Sequence, residues 1–314
     1  MITFALRRLL ATIPTLLVVT LLVFGLVRLL PGDPARLMLG ESANPQAIAE
    51  LRTQMGLDRP IMVQYAAWLA DVVRLDLGRS LVDNASVSRI IGQKLPTTIE
   101  LSLLSMLVAL VLAVPAGTIG AVKRGKPIDS AVTVFALAGI SLPNFFLGIL
   151  LIFFFSVQLR WVPASGYVGL LEDPLRNLSL MALPAITIGV GLGAILTRYL
   201  RASLIETLSQ DYVRTALAKG VPGLAVITRH ALRNAMIPVI TAFGLQLGTL
   251  LGGAIITEQI FSIPGFGRLL VDAVSTRDLP VIQGVVLIAA LAVFLVSFVV
   301  DLLYAAADPR ITYS

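Results

Sequence analysis

Long apolar runs separated by short polar connections set the pattern of this chain. Six windows contain no Asp, Glu, Lys or Arg: 9–27, 101–122, 130–157, 177–197, 235–257 and 279–300. At a rise of about 1.5 Å per residue, each is long enough to cross about 30 Å of hydrocarbon as a helix. One charge at the centre of such a helix costs about 2.5–3.5 kcal/mol of insertion free energy, so six uncharged windows predict six transmembrane helices and an all-α integral membrane fold. The first window follows Arg7-Arg8, a basic start of the kind that opens a signal peptide. Its length, and the lack of a small-residue cleavage site before Leu30-Pro-Gly-Asp-Pro34, predict an uncleaved span.

The polar stretches set the orientation. Arg7, Arg8, Lys123, Arg124, Lys126, Arg198, Arg201, Arg214, Lys219, Arg229, Arg233 and Arg310 fall on one side of the membrane under alternate crossing. The two short loops of the other side hold only Arg160, Arg176, Arg268 and Arg277. The long 31–95 stretch is discounted, because long segments translocate largely regardless of charge. Both termini and the 198–236 loop are therefore expected in the cytoplasm. The domain reading is a transmembrane helix over 1–30, an extracytoplasmic helical segment over 31–95, and a transmembrane core over 96–314 that carries the 198–236 loop. In the outer segment, Asn44-Pro45 starts and Gly56 ends a helix with Ile48, Leu51 and Met55 on one face. Pro60 starts another, with Ile61, Tyr65, Trp68, Leu69 and Val72 at helical spacing. Those stripes pack on the outer ends of the spans, or seat an extracytoplasmic solute-binding protein.

Composition agrees with the bilayer as solvent. Charged residues make up 13% of the 314 residues and mean hydropathy is +0.92, whereas soluble domains carry about 25% charged residues. The net charge of +6 is dispersed over span-flanking loops with no interleaved aromatic platform, which points to anionic membrane lipid and to orientation, and not to nucleic acid. With no cysteine and a single histidine, His230, cysteine chemistry is excluded and no metal site is expected. Glu100, Asp129, Glu258 and Asp301 fall near span ends, within expected reach of interfacial water. The helix dipole accounts for Asp129, just after Pro127. Gly125-Lys126 is followed by Pro127, so no phosphate-cradling Gly-x4-Gly-Lys-Ser/Thr loop is present.

The most informative polar stretch is Asp211-Tyr-Val-Arg-Thr-Ala-Leu-Ala-Lys-Gly220, followed by Arg229-His-Ala-Leu-Arg-Asn-Ala-Met-Ile-Pro238. Ser209 is placed to cap a short helix, Asp211 sits in its first turn and Lys219 in its last, and Gly220 with Pro222 stops it. A short charged helix held at the bilayer surface has the character of a docking element. Inside the spans, Pro143 and Asn144 in Ser141-Leu-Pro-Asn-Phe145 interrupt an apolar run, and Gly244, Gly248 and Gly252 form a period-four strip beside Gln246. Pro143 is either a structural kink or a break lining a pathway. The glycine strip packs within the chain or against a helix of a second membrane subunit.

Together these pieces resemble the permeases of ATP-binding-cassette (ABC) importers. The 211–220 stretch is similar to their EAA loop, whose pattern is Glu-Ala-Ala, three residues, Gly, then a downstream Ile-x-Leu-Pro. Arg214, Thr215, Ala216 and Gly220 stand at the matching positions, and Pro238 lies further downstream than in the general pattern. The resemblance to the peptide, nickel and glutathione branch is carried by Arg7-Arg8, Leu30-Pro-Gly-Asp-Pro34, Asp76-Leu-Gly78, Ala121-Val-Lys-Arg-Gly125, Pro143, Gly244-Leu-Gln-Leu-Gly248, and Glu258 through Pro264-Gly265-Phe-Gly-Arg268. It implies a MetI-like type I permease fold in the bacterial inner membrane, without enzymatic activity of its own. The implied partners are a second homologous permease, two ATPase subunits that hold ATP and Mg, and an extracytoplasmic solute-binding protein. Asp211, Tyr212, Arg214, Thr215, Ala216, Lys219 and Gly220 would dock an ATPase. Pro143, Asn144, Gly244, Gln246, Gly248 and Gly252 would line the pathway or the permease interface. This chain would hold no cofactor and no metal. Di- and oligopeptides are the expected cargo, with glutathione or a nickel chelate as alternatives. An ion-coupled secondary transporter is the rival class, and it would more naturally need a mid-membrane Asp, Glu or His.

Overall fold

The computed structural model describes residues 2–29, 34–39 and 44–307, and among them the regular elements are helices, with one isolated antiparallel bridge, Arg79 to Ser86. In chain order the helices are α1 (Ile2–Leu29), α2 (Pro34–Leu39), α3 (Pro45–Gln54), α4 (Ile61–Val73), α5 (Val87–Val122), α6 (Pro127–Ser141) and α7 (Asn144–Leu151). There follow α8 (Pro174–Leu208), α9 (Asp211–Ala218), α10 (Gly223–Ala225), α11 (Leu232–Gly253), α12 (Ile255–Ile260), α13 (Phe266–Ser275) and α14 (Leu279–Ala307). Two π-helical segments, Ile152–Gln158 and Val226–Ala231, continue α7 and join α10 to α11. Leu30 to Asp33 and Arg310 lie outside the described residues.

Local chemistry explains the helix ends. The Asn44 side chain accepts from the Gln46 N–H at 3.0 Å and Pro45 opens α3, while Gly56 takes φ +65° past its end. Asp173 caps α8 by accepting from the Arg176 N–H at 3.0 Å, with Pro174 as its first residue. Proline at the first helical position loses no hydrogen bond there, which makes it a stable start.

Two compact units divide the chain: 1–97 with 264–292, and 98–263 with 293–314. In the first, Val87, Ile91, Phe266, Ala273, Val281 and Val285 form a buried cluster. A Cβ on Gly284 would lie 2.7 Å from Val87 Cγ1, so glycine is what lets α14 approach α5 there. The α1 helix meets α4 through Phe24, whose ring centroid lies 5.3 Å from that of Tyr65 and 5.6 Å from that of Trp68. Thr20 and the Tyr65 hydroxyl share a hydrogen bond of 2.8 Å. Buried Asp278 accepts from the Ser80 hydroxyl and, at 3.1 Å, from the Leu81 N–H, fastening the loop before α5 to the start of α14.

The second unit is built on α8. Seventeen of its 35 residues are buried, so it is a core helix around which α6, α7 and α11 pack. Small residues make the close crossings possible. A Cβ on Gly189 would meet Val108 at 2.6 Å, and one on Gly139 would meet Ala194 at 2.9 Å. Membrane helices pack this way because lipid is as apolar as leucine, leaving close van der Waals contact as the main attraction.

Among the described residues, α5, α8 and the Leu279–Val300 stretch of α14 are long and apolar enough to cross a membrane. The span expected over 130–157 is broken at Pro143. The α6 helix and the α7–π helix meet at a bend of 100°. Leu142 before Pro143 is extended, with ψ 121°, because the proline ring clashes with an α-helical residue ahead of it. The window expected over 235–257 also divides, with α11 ending at Gly253 and α12 beginning at Ile255.

Candidate functional site

The 198–236 stretch is mostly helical instead of an open loop. The α8 helix continues to Leu208, and the next helical run starts at Gly223, which leaves α9 as a single short helix between two turns. It packs on α8 and on the π segment 226–231. Val213 is its anchor, 1% exposed, while its neighbours Tyr212 and Leu217 stay 42% and 52% exposed. Asn234 Nδ2, at the start of α11, donates to the Tyr212 hydroxyl at 2.8 Å. These contacts tie α9 to the ends of two long helices.

Sequence reasoning misplaced the cap. Ser209 adopts a helical conformation and closes α8, its hydroxyl donating to the Glu206 carbonyl at 2.6 Å. The residue before α9 is Gln210, with extended ψ 148° and no side-chain cap bond. Asp211 lies in the first turn as expected, where its carboxylate favours the positive helix end. Lys219 is the residue just past the helix, and Gly220 follows with φ +78°. That left-handed residue lets the Gly220 N–H donate to Leu217 O at 2.9 Å and the Val221 N–H to Ala216 O at 3.2 Å, which satisfies the last carbonyls. Ala216 is half-buried, and the Thr215 hydroxyl donates back to Asp211 O at 2.9 Å. Arg214 and Asp211 are 3.8 Å apart, yet 73% and 98% exposed. A pair so exposed contributes little to stability. Their charges stand available to a partner.

The intramembrane candidates meet different neighbours. Pro143 and Asn144 stand at the bend, and a Cβ on Gly191 of α8 would lie 3.3 Å from Asn144 Oδ1. Gly244 is closed over by Val300 of α14, which a Cβ there would overlap, and Gly248 faces Val293 of the same helix at 3.8 Å. This much of the glycine strip serves packing within the chain. Gln246 is half-buried on α11. Gly252 lies in the same helix, but its surroundings fall outside the described residues.

Three polar contacts escaped sequence reasoning. Asp129 is held by Arg201 in a two-pronged pair of 2.5 and 2.8 Å, and also accepts from the Gly125 N–H at 3.0 Å. The helix dipole is therefore a minor part of its account. Glu258 does not reach water: it is fully buried on α12 and accepts from the Thr98 hydroxyl at 2.5 Å. Glu100, half-buried on α5, accepts from the Tyr167 hydroxyl at 2.9 Å. The partners stand 72, 160 and 67 residues apart in the chain, beyond any local pattern. Among the described residues, no three His, Cys, Asp or Glu side chains gather as a metal site would require.

Known proteins resemble the chain over its whole length. Residues 113–313 match the family described as binding-protein-dependent transport system inner membrane component, and residues 1–102 match the N-terminal family of the same membrane components. The glutathione transport system permease protein GsiC of Escherichia coli K12 is 45% identical over 313 residues, covering 100% of both chains. The di/tripeptide transport system permease protein DppB of Pseudomonas aeruginosa UCBPP-PA14 is also 45% identical, covering 100% of this chain and 99% of its own. Among solved structures, an inward-facing MetNI methionine ABC transporter superposes with a TM-score of 0.59 at 17% identity, over 70% of this chain and 96% of its own. That likeness gives the MetI-like permease fold. On the length and quality of these matches, the chain belongs to the family of inner-membrane components of binding-protein-dependent transport systems.

Proposed function

We propose that this chain is one of two homologous permease subunits of an ABC importer for short peptides, glutathione-like tripeptides included. The observation that carries the reading is α9, a short helix anchored by buried Val213 whose remaining surface presents Tyr212, Arg214 and Leu217 outward. Relatives named for di/tripeptide and for glutathione transport are equally similar, at 45% identity, which favours a cargo class broad enough to hold both. In this reading the chain is not an enzyme. ATP and Mg sit on two separate ATPase subunits, each docking one permease, and an extracytoplasmic binding protein delivers the solute.

The mechanism is alternating access. Each state of the ATPase pair favours one permease conformation, and it can shift the equilibrium only by its difference in affinity for the two. Turning a 1:99 population into 99:1 takes about 5.5 kcal/mol of such difference. Displacement of α9 draws on α8 and the π segment, so the cytoplasmic ends of those helices move as a unit. The end of α1, the loop before α5 and the start of α14 come together in the first unit, as Arg28, Leu77 and Pro280 around one cavity. That convergence supports an even number of crossings from the start of α5 to the start of α14, as six spans with cytoplasmic termini would have.

The test is reconstitution with the cognate permease, ATPases and binding protein in proteoliposomes. Uptake of a dipeptide that requires ATP and ignores an ionophore supports the reading. Gradient-driven uptake without the ATPases would replace it with the secondary-transporter class.

A further inference from the structure

The first unit holds a cavity of about 470 Å³ at the end of α1, bounded by α4, the loop before α5 and the start of α14. This is within the range of about 300–1,000 Å³ typical of small-molecule sites. Its walls carry both signs of charge: Arg28, Arg59 and Arg79 against Asp71 and Asp76. Among the described residues, no ion pair joins these arginines to these aspartates. Arg28 lies 3.5 Å over the Phe24 ring and donates to Gln64 Oε1 at 2.5 Å, and Arg79 Nη1 donates to the Asn84 carbonyl at 3.2 Å. Those acceptors are neutral and supply no countercharge to either guanidinium. Asp76 accepts only an amide, the Gly78 N–H at 2.9 Å.

Gln283, on the first turns of α14, adds an uncharged polar residue to the lining. Phe24 and Trp68 supply an aromatic wall, stiffened by their packing with Tyr65. A simple anion would face the aspartates and a simple cation the arginines. A ligand that carries both charges and an apolar side chain answers the charged groups and the aromatic wall together.

We infer that this cavity receives the zwitterionic backbone of a short peptide. The ammonium meets Asp71 and Asp76, and the terminal carboxylate meets Arg59 and Arg79. The inference rests on the peptide-import reading above and adds to it a receiving site on this subunit. Recognition of the peptide's two ends is then shared with the binding protein and does not reside there alone.

Trp68 reports on the site, because the chain has two tryptophans and Trp161→Phe leaves it as the sole emitter. The full-length variant in phosphatidylglycerol nanodiscs, without binding protein, is titrated with the dipeptide Ala-Phe. The expected result is a saturable change in Trp68 emission, at least about tenfold weaker for N-acetyl-Ala-Phe-amide. Arg79→Gln and Asp71→Asn, at exposed positions, should each weaken Ala-Phe binding by about tenfold or more, the scale of one lost charge-assisted bond. A flat titration, equal binding of the blocked peptide, or native binding by both variants overturns the inference. ATP-driven Ala-Phe uptake by the native assembled transporter is measured in parallel. Uptake with a flat Trp68 titration removes this cavity alone, whereas a Trp68 response without uptake removes the transport reading and leaves the cavity standing.

Discussion

Leu217 offers the sharpest separation between holding α9 in place and using it. The side chain is 52% exposed on a helix whose buried anchor is Val213, 1% exposed. Full burial of a leucine side chain is favourable by about 1.5–3 kcal/mol, so covering the exposed half on docking contributes about 0.8–1.5 kcal/mol. Leu217→Ala should therefore weaken ATPase association roughly four- to tenfold. Leu217→Asp should weaken it further, since a carboxylate would be buried at the contact. The covered half of the side chain packs within the permease, so Leu217→Ala should also lower the permease's own stability by about 0.8–1.5 kcal/mol while insertion stays native. Val213→Ala should do the reverse: two lost methyl groups cost about 1.6 kcal/mol inside the permease while the docking surface remains. The assay is co-purification of ATPase with tagged permease, alongside dipeptide uptake in proteoliposomes. Native association and native uptake by Leu217→Asp would refute the assignment of this face.

Other outcomes follow from contacts described above. Gly220→Pro cannot adopt φ +78° and removes the N–H bonded to Leu217 O, and Arg214→Glu reverses an exposed charge. Each should let ATP hydrolysis continue without uptake while insertion stays intact, read by paired hydrolysis and uptake rates. Gly244→Leu collides with Val300 and should destabilise the chain by about 1–3 kcal/mol, seen as a lower midpoint of thermal unfolding in detergent. Val300→Ala added to it should recover part of the loss. Asp129→Asn leaves the Arg201 guanidinium without its countercharge and should lower the unfolding temperature, and Arg201→Gln in the same chain should raise it again. A double variant no better than the single one would remove the ion pair as the cause.

Much of the architecture was legible because one physical rule produces it. Charge is expelled from hydrocarbon, and proline, asparagine and glycine mark helix ends. Asn44-Pro45, Pro60, Pro127 and Gly220 each stand where the backbone uses them. Hydropathy does not register direction, so the apolar run through Pro143 reads the same whether straight or bent by 100°. Ser209 had the chemistry of an N-cap, but α8 runs on to Leu208 and uses it as a terminus of its own. The partners of Asp129 and Glu258 are set by which helices cross, a tertiary fact with no local signature. The charged cavity likewise draws its walls from four separate stretches of chain.

The π segment at 226–231 has a consequence for how this subunit tolerates change in length. Such a turn is equivalent to one residue inserted into an α-helix, and one residue corresponds to about 100° of rotation. Deleting a residue within 226–231 would restore ordinary α winding and leave Gly244 and Gly248 aimed at α14. The same deletion a few positions later, between Leu232 and Gly244, would swing both glycines away and drive larger side chains into Val293 and Val300. Where evolution has trimmed or lengthened this helix in related subunits, the scar belongs at the wide turn.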